Sequence, residues 1–181
     1  MLILASRSPQ RRAILEQLGI DFEVRPTDVE ELEEGSPEEI AVENARRKAE
    51  AVSSLGDVVL GVDTVVALDG VVYGKSPDEA RARATLTALS GRCHQVIGGL
   101  CLIEGARTRA TKAITTVEFR TLEERVIDWY LATGEWRDRA GAYAIQGRGA
   151  ALVERIEGDY FNVVGLPVAL LLELEPGLVT R

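Results

Sequence analysis

The run from Asp57 to Leu68 constrains the fold of this chain more than any other stretch, because its side chains are mostly β-branched or otherwise apolar. A run of this kind is typical of a buried central strand. The Asp69-Gly70 dipeptide that follows is preferred in two-residue hairpin turns, so the chain is expected to reverse and return from Val71 to Lys75. Gly74 and Pro77 predict that the returning strand ends or bulges at that point.

Asp63 lies in the middle of this apolar run. An ionised carboxylate inside a sheet costs several kcal/mol unless a cation, a metal or converging hydrogen-bond donors compensate its charge. We therefore expect a functional role for Asp63. The alternative is an aspartate at the end of the strand whose carboxylate is held by nearby backbone amides.

The composition is that of one globular domain, because 181 residues with 46% hydrophobic side chains can form one substantial core. We expect a single domain over residues 1–181. The formal net charge of −8 argues against a nonspecific nucleic-acid binder or a protein that binds anionic membranes. It does not exclude a local basic pocket. The apolar runs have the length of strands, and residues 1–8 do not follow a signal-peptide pattern, so a cytoplasmic protein is predicted.

The two cysteines, Cys93 and Cys101, are expected to be free thiols. They lie on what looks like one extended segment, where eight residues span about 26 Å, far beyond the reach of a disulfide. The chain lacks the paired Cys and His spacing of a zinc site, and its single histidine, His94, is expected to be structural. A Ser-His-Asp hydrolase would depend on that one histidine, which makes this class a poor candidate.

The N-terminal segment combines a short strand, Met1 to Ala5, with a helix for which Ser8 is the expected N-cap and Pro9 the first residue. Arg11 and Arg12 fall in the first turn, where cations oppose the helix dipole and the backbone amides have no partners. A bound anion would make this arrangement favourable, since a strand followed by a helix N-terminus is a common phosphate site. The alternative is a pair of solvated arginines.

A second helix begins with a capping box at Ser36 and Glu39, and its apolar stripe carries Lys48 at one edge. A lysine in that position either extends along the helix to solvent or binds an anion. The acidic run over residues 27–34 is either a solvated loop or the source of one or two carboxylates that join Asp63 around a divalent cation.

Predicted helices and strands alternate along the rest of the chain, which indicates an α/β fold. A helix is predicted after Ser76, its expected N-cap, and another after Thr121, with Trp129 and Tyr130 expected to be buried. The segment over residues 138–149 is rich in Gly and Ala and would allow a ligand to approach the backbone, where Gln146 could hydrogen-bond to a base edge. The remaining predictions are strands over 95–103, 110–120 and 150–156 and a helix over 168–174.

Six segments occur in the order and at the separations found in one known family: Leu4 to Pro9, Gly61 to Val66, Gly74-Lys75, Leu89 to Gly91, Asp138 to Gly147 and Val164 to Pro167. With them the chain resembles, over nearly its whole length, the Maf family of nucleoside triphosphate pyrophosphatases. The resemblance implies the fold of inosine-triphosphate pyrophosphatases, a long bent mixed sheet with flanking helices and two lobes around a cleft. It also implies release of pyrophosphate from a nucleoside triphosphate with a divalent metal, Mg²⁺ or Mn²⁺, and a possible homodimer.

The resemblance assigns roles to individual residues. It makes Asp63 the proton acceptor that activates water, and it implies that Glu30 joins Asp63 as a metal ligand. Lys48 and Lys75 match family positions that line the same cleft, where they and Arg11 would neutralise phosphate charge. The residues implied to bind substrate are Ser8, Gln10, Arg11, Lys48, Thr64, Lys75 and Gln146.

The substrate follows from three positions that separate the branches of the family. The dTTP/UTP branch has an Arg directly after Ser-Pro, a Thr after the catalytic Asp, and a Gln in the late Ile-Gln-Gly segment. This chain has Gln10, Thr64 and Gln146, so two of the three positions match and Gln10 departs from the expected Arg. The resemblance thus favours dTTP and UTP, or modified pyrimidine triphosphates, and Arg11 is available to take over part of the missing contact.

Two other functions stay open. The first is a pyrophosphatase for 7-methyl-GTP or another modified purine nucleotide, although that branch carries an aromatic residue where this chain has Gln10. The second is a non-catalytic, nucleotide-binding inhibitor of septum formation, an activity associated with the family name. A protein that only binds nucleotide gains little from a carboxylate such as Asp63 buried in its sheet.

Overall fold

The fold is built around one long central strand, as the apolar run predicts. The computed structural model describes residues 1–54 and 56–179, so residue 55 and residues 180–181 of the predicted domain lie outside the described residues. The strands are β1 (Leu2–Leu4), β2 (Phe22–Val24), β3 (Val58–Leu68), β4 (Val71–Val72), β5 (Cys93–Glu104), β6 (Arg107–Phe119) and β7 (Val153–Glu157). The helices are α1 (Pro9–Gln17), α2 (Pro37–Val52), α3 (Glu79–Leu89), α4 (Glu124–Ala132), α5 (Tyr160–Val164) and α6 (Val168–Leu174), with 3-10 turns at Arg148–Leu152 and Pro176–Leu178.

All seven strands belong to one mixed sheet with the order β2-β1-β3-β5-β6-β7, and β4 also pairs with β3. The pairs β2–β1 and β1–β3 are parallel, whereas the pairs from β3 through β5 and β6 to β7 are antiparallel. The predicted α/β fold with a mixed sheet and flanking helices is therefore confirmed. Cys93 and Cys101 lie on the same strand, β5, and both are free, as expected.

One edge of β3 is only partly paired, and this gap determines where a ligand can enter. β1 pairs with β3 only as far as Leu60, and β4 pairs with it only at Ala67 and Leu68. Between these two contacts, the side of β3 that faces away from β5 is open. Side chains from both faces of the strand are accessible at such an edge, so the consecutive residues Asp63 and Thr64 can contribute to one cavity.

The Asp69-Gly70 hairpin forms as predicted, with φ angles of 52° and 78° that suit a left-handed two-residue turn. β4 ends at Val72, which confirms that the strand ends early, and one further backbone hydrogen bond joins Tyr73 N–H to the carbonyl of Val66. Lys75 then forms an isolated antiparallel bridge with Ala140 rather than pairing with β3. The hairpin thus connects the end of β3 to the loop that precedes the 3-10 turn at Arg148.

The helix starts agree with the sequence at Ser8 and Ser36 and differ at Ser76. Ser8 accepts a hydrogen bond from the backbone of Arg11, and Ser36 forms the capping box with Glu39. The N-cap of α3 is Asp78 rather than Ser76, because the Asp78 carboxylate accepts from the third backbone amide of the helix. A carboxylate is also the more favourable cap for the positive end of the helix dipole.

The prediction for α4 was half right. Tyr130 is fully buried, but Trp129 is 46% exposed, and Ile127 and Leu131 complete the buried face instead. Two adjacent residues of a helix point about 100° apart, so both aromatic rings cannot face the same core. α5 was not predicted, because Gly158-Asp159-Tyr160 resembles a turn and the helix that follows has only five residues.

Helix α2 packs directly on the middle of the sheet through glycines of β3 and β5. A methyl group at Gly61 would collide with the backbone carbonyl of Ala45, and one at Gly99 would collide with that of Ala41. The absence of side chains at these two positions lets the helix backbone approach the sheet closely. Gly99 lies opposite Asp63 in the ladder, so α2 passes directly over the carboxylate-bearing part of β3.

We predict that Gly99→Ala destabilises the protein by about 3 kcal/mol or more, because backbone atoms of α2 must move to admit the methyl group. The free energy of unfolding from urea denaturation measures this effect. Gly74→Ala is the matched control, since a methyl group added at Gly74 would have no neighbour within 4 Å and the residue has no positive φ. Equal stability of the two variants would show that α2 does not depend on close approach at Gly99.

Candidate active site

A cavity of about 680 Å³ opens at the unpaired edge of β3. Its walls come from the β1–α1 segment, the loop after β2, α2, β3, the β4–α3 segment and the loop before the 3-10 turn at Arg148. Eight of the nine residues for which the sequence predicts a site role line it: Ser8, Gln10, Arg11, Lys48, Asp63, Thr64, Lys75 and Gln146. Glu30 is the exception.

The centre of the cavity is an ion pair between α2 and β3. Lys48 Nζ lies 2.6 Å from Asp63 Oδ1 and 2.6 Å from Glu31 Oε1. Asp63 is 8% exposed, so its buried charge is compensated by Lys48 within the protein itself. No described residue hydrogen-bonds to the second oxygen of the Asp63 carboxylate, which leaves that oxygen for a water or a ligand.

Helix α2 also positions the loop after β2. Asn44 is buried and hydrogen-bonds to both the backbone N–H and the backbone carbonyl of Leu32, and Arg47 donates to the carbonyl of Glu30. These contacts orient the residue between them, Glu31, towards Lys48. Consequently Glu31 lines the cavity, whereas Glu30, the predicted metal ligand, contributes only its backbone carbonyl to α2 and does not line the cavity.

Electrostatics keep Glu31 ionised. Partial burial raises its pKa, but the hydrogen bond and charge of Lys48, together with the charges of Lys75 and Arg11, outweigh burial and lower the pKa below its ordinary value. Two carboxylates, Glu31 and Asp63, therefore share one ammonium group at the centre of the cavity. The sequence reveals an acidic run here but not which member of it faces inwards.

Arg11 connects four parts of the site. Its guanidinium donates to the carbonyl of Gly165 at 2.9 Å, to Ser6 Oγ at 2.9 Å and to Thr64 Oγ1 at 3.1 Å. Burial lowers the pKa of Arg11, and the nearby charges of Asp63 and Glu31 act in the opposite direction. Arg11 is therefore not a solvated surface arginine, because its donors fix the orientation of Thr64 from one side of the cavity.

The loop over residues 138–147 forms another wall of the cavity, and several contacts hold it in place. The backbone amides of Gly141 and Ala144 donate to the carbonyl of Tyr73 and to the hydroxyl of Tyr130, and Glu135 accepts from the backbone just after the loop. Asp138 and Ala142 adopt φ angles of 58° and 57°, a strained conformation for residues other than glycine. Such a conformation persists only where surrounding contacts enforce it, so Gln146 and its neighbours face the cavity from a well-defined loop.

A buried aromatic cluster supports this wall from behind. Tyr143 lines the cavity, and its hydroxyl lies 2.9 Å from His94 Nε2, while Phe119 packs edge-on against both rings. Burial lowers the pKa of His94 to about 4 and raises the pKa of Tyr143, so both groups are neutral at pH 7. His94 therefore has a structural position, in agreement with the expectation from sequence.

The cavity is basic in an acidic protein. Six cations and four carboxylates line it, so the lining has a formal charge of +2 in a chain whose net charge is −8. The charged lining residues are Arg7, Arg11, Lys48, Lys75, Arg137 and Arg139, with Asp28, Glu31, Asp63 and Asp138. A positive cleft concentrates anionic ligands even when the whole molecule repels them.

The donor set suits a hard divalent cation that also binds phosphate. Within residues 1–54 and 56–179, no group of three His, Cys, Asp or Glu side chains could hold a metal ion without further ligands. Mg²⁺ is usually bound by one or two carboxylates together with waters and substrate phosphates. Asp63 and Glu31 each have one oxygen on Lys48, so the second oxygen of each carboxylate is the one that could hold such a cation.

Known proteins match this chain over nearly its whole length. Residues 1–175 match the family model of Maf-like proteins. The protein named dTTP/UTP pyrophosphatase of Thermococcus gammatolerans is 50% identical over 175 residues, covering 96% of this chain and 95% of its own. Proteins of the same name from Symbiobacterium thermophilum and Clostridioides difficile are 49% and 46% identical, covering 92% and 96% of this chain and 88% and 92% of their own.

The chain belongs to the Maf-like protein family, because the family model and these relatives cover nearly its whole length. Among solved structures, the Staphylococcus aureus Ham1 protein has a TM-score of 0.48 and 23% identity, with 65% of this chain and 71% of that chain covered. None of the helices in the described part of the chain combines the length and apolar character that crossing a bilayer requires.

We predict that His94 makes stability fall on mild acidification. Because the pKa of His94 is about 4 in the folded state and near 6.5 when unfolded, the unfolded state binds more protons as the pH drops below 6.5. The free energy of unfolding should fall by about 2 kcal/mol between neutral pH and about pH 5 from this residue alone. Urea denaturation of the native protein and of His94→Gln at both pH values measures the effect.

His94→Gln keeps a hydrogen-bond partner for Tyr143 and has no group that titrates in this range. The native protein should therefore lose clearly more stability than the variant over the same pH interval. Identical pH dependence in the two proteins would mean that His94 does not stay neutral in the folded state.

Proposed function

We propose that the protein is a nucleoside triphosphate pyrophosphatase that hydrolyses dTTP and UTP to the monophosphate and pyrophosphate. The observation that carries the proposal is Asp63, a carboxylate with one oxygen held by Lys48 and the other without a partner among the described residues, in a positively charged cavity. The names of the relatives at 46–50% identity support the same reaction and the same substrates.

The geometry suits attack of water on the α-phosphorus. The open oxygen of Asp63 accepts a proton from the water, a new P–O bond forms, and the bond between the α-phosphorus and the bridging oxygen breaks. The electron pair of that bond leaves with pyrophosphate. Lys48 holds the other carboxylate oxygen and so fixes the direction from which Asp63 takes the proton.

Charge neutralisation is the second requirement of the reaction. Negative charge grows on the leaving pyrophosphate, and positioned cations stabilise it best in a cavity partly shielded from water. Lys48 and Lys75 line the cavity from two different elements, and Arg11 lines it beside Thr64. A Mg²⁺ or Mn²⁺ ion held by Asp63 and Glu31 would polarise the phosphate oxygens and neutralise part of their charge.

Base selection falls to the polar side chains near Thr64 and Gln146. Arg11 fixes the Thr64 hydroxyl, and Gln146 lines the same cavity from a different element, so both side chains are available to hydrogen-bond to a pyrimidine base. The carbonyl oxygen of the Gln10 side chain accepts a hydrogen bond from Ser8, which orients the Gln10 amide at the start of α1. Arg11 supplies a charge here, but three of its five N–H donors are already used within the protein.

We predict that the purified protein, given a divalent metal, releases pyrophosphate from dTTP and UTP faster than from 7-methyl-GTP. Quantifying pyrophosphate and phosphate separately over a panel of triphosphates tests this reaction directly. Phosphate as the only product would contradict attack at the α-phosphorus. A preference for 7-methyl-GTP would reverse the substrate assignment, and tight binding without product would favour a nucleotide-binding regulator.

We further predict that Asp63→Asn lowers kcat by at least about a thousandfold while the protein stays folded, because an amide cannot accept the proton from water. Asp69→Asn is the matched control: the chemical change is the same, but Asp69 lies in the hairpin turn outside the cavity and pairs with Arg92 on the surface. The control should keep normal activity. Near-normal turnover by Asp63→Asn would remove Asp63 from its proposed role.

A further inference from the structure

The cations that line the cavity differ in the ion pairs and hydrogen bonds that they already form within the protein. Lys48 forms ion pairs with Asp63 and Glu31, and Arg7 forms one with Asp28. Arg11 donates hydrogen bonds to one backbone carbonyl and two hydroxyl groups. These three cations are therefore partly committed within the protein itself.

Lys75 and Arg139 differ from these three cations in their ion pairing. Within residues 1–54 and 56–179, no carboxylate lies within 4.0 Å of either cationic group. The Arg139 Nε atom is also fully buried and lacks a hydrogen-bond partner among the described residues. A buried donor without a partner costs about 1–3 kcal/mol of stability. Arg139 therefore lacks a hydrogen-bond acceptor that the described residues do not supply.

Both cations line the same cavity, and they lie on two segments that are paired with each other. Lys75 forms an antiparallel bridge with Ala140, the residue next to Arg139, and Gly141 N–H donates to the carbonyl of Tyr73 on the same pair of segments. The register of this bridge places Ser76 beside Arg139, and the Ser76 hydroxyl is likewise buried without a partner among the described residues. Three residues of this pair of segments, Lys75, Ser76 and Arg139, thus carry polar groups that lack a partner among the described residues.

We propose that Arg139, together with Lys75, binds the terminal phosphates of the substrate, the part that leaves as pyrophosphate. This assignment rests on the proposed function and adds a specificity residue that the sequence did not reveal. A planar guanidinium can donate to two phosphate oxygens at once, which a lysine cannot do. Arg139 therefore selects triphosphates over nucleotides that lack these phosphates, whereas Thr64 and Gln146 select the base.

The experiment compares Arg139→Met and Arg139→Lys with the native protein. Isothermal titration calorimetry with inorganic pyrophosphate and separately with dTMP, in the presence of Mg²⁺, measures the two halves of the site without turnover. We expect Arg139→Met to weaken pyrophosphate binding about ten- to hundredfold, the loss that follows removal of a charge-assisted pair of hydrogen bonds, with less than about a twofold change for dTMP. The pyrophosphate affinity of Arg139→Lys should lie between those of the native protein and Arg139→Met. A lysine keeps the positive charge but cannot donate two parallel hydrogen bonds as a guanidinium does.

Arg155→Met is the charge-matched control, since Arg155 is an exposed cation on β7 that pairs with Glu118 outside the cavity. It should bind both ligands normally. The proposal would be overturned if Arg139→Met bound pyrophosphate as tightly as the native protein does. It would also be overturned if the variant lost affinity for pyrophosphate and dTMP equally. The second result would mean that Arg139 only supports the loop, which a lower thermal midpoint of unfolding would show independently.

The proposed function can fail separately from this inference. If the native protein binds pyrophosphate but forms none from dTTP, the reaction is wrong, and the comparison of Arg139 variants still decides the subsite. If dTTP is hydrolysed normally and Arg139→Met raises neither the KM for dTTP nor the inhibition constant of pyrophosphate, the reaction stands and the subsite is wrong.

Discussion

The contact between Lys48 of α2 and Asp63 of β3 is the interaction on which the rest of the site depends. A carboxylate in the middle of a buried strand is costly, and Lys48 compensates it at 2.6 Å. This ion pair requires α2 to lie close to the sheet, which the absent side chains of Gly61 and Gly99 permit. The glycines, the helix and the charged pair therefore form one structural unit.

The same helix organises the second carboxylate. Arg47 and Lys48 follow Asn44 by three and four residues, so both lie near it on one side of α2. Asn44 and Arg47 fix the backbone around Glu30 and Leu32, and Lys48 receives the side chain of Glu31. A loop that would otherwise be solvated is held against the sheet. Two acidic groups thus reach one point of a cavity whose lining is positive overall.

Much of this fold could be predicted from the sequence, because its signals are local. The apolar run of β3, the Asp69-Gly70 turn and the caps at Ser8 and Ser36 depend only on neighbouring residues, and all of them form as expected. Similarly, the choice of Asp63 as a cavity residue follows from one charge in an apolar run.

The parts that could not be predicted depend on contacts between distant segments. Which glutamate of an acidic run faces inwards is decided by Asn44 and Arg47 on another element, so the sequence alone does not indicate that Glu31, rather than Glu30, lines the cavity. Arg139 has no local signal, because its significance lies in the bridge between Lys75 and Ala140 and in a donor left without a partner among the described residues. The exposure of Trp129 likewise depends on which face of α4 packs against the core.

The most direct test is a crystal structure with Mg²⁺ and a dTTP analogue that has a nonhydrolysable link between the α- and β-phosphates. The account predicts an α-phosphate beside the open oxygen of Asp63, with an ordered water between them on the side opposite the leaving group, and with Lys48 still bound to the other oxygen. A triphosphate that binds elsewhere, or one whose α-phosphate lies beyond the reach of any water held by Asp63, would contradict it.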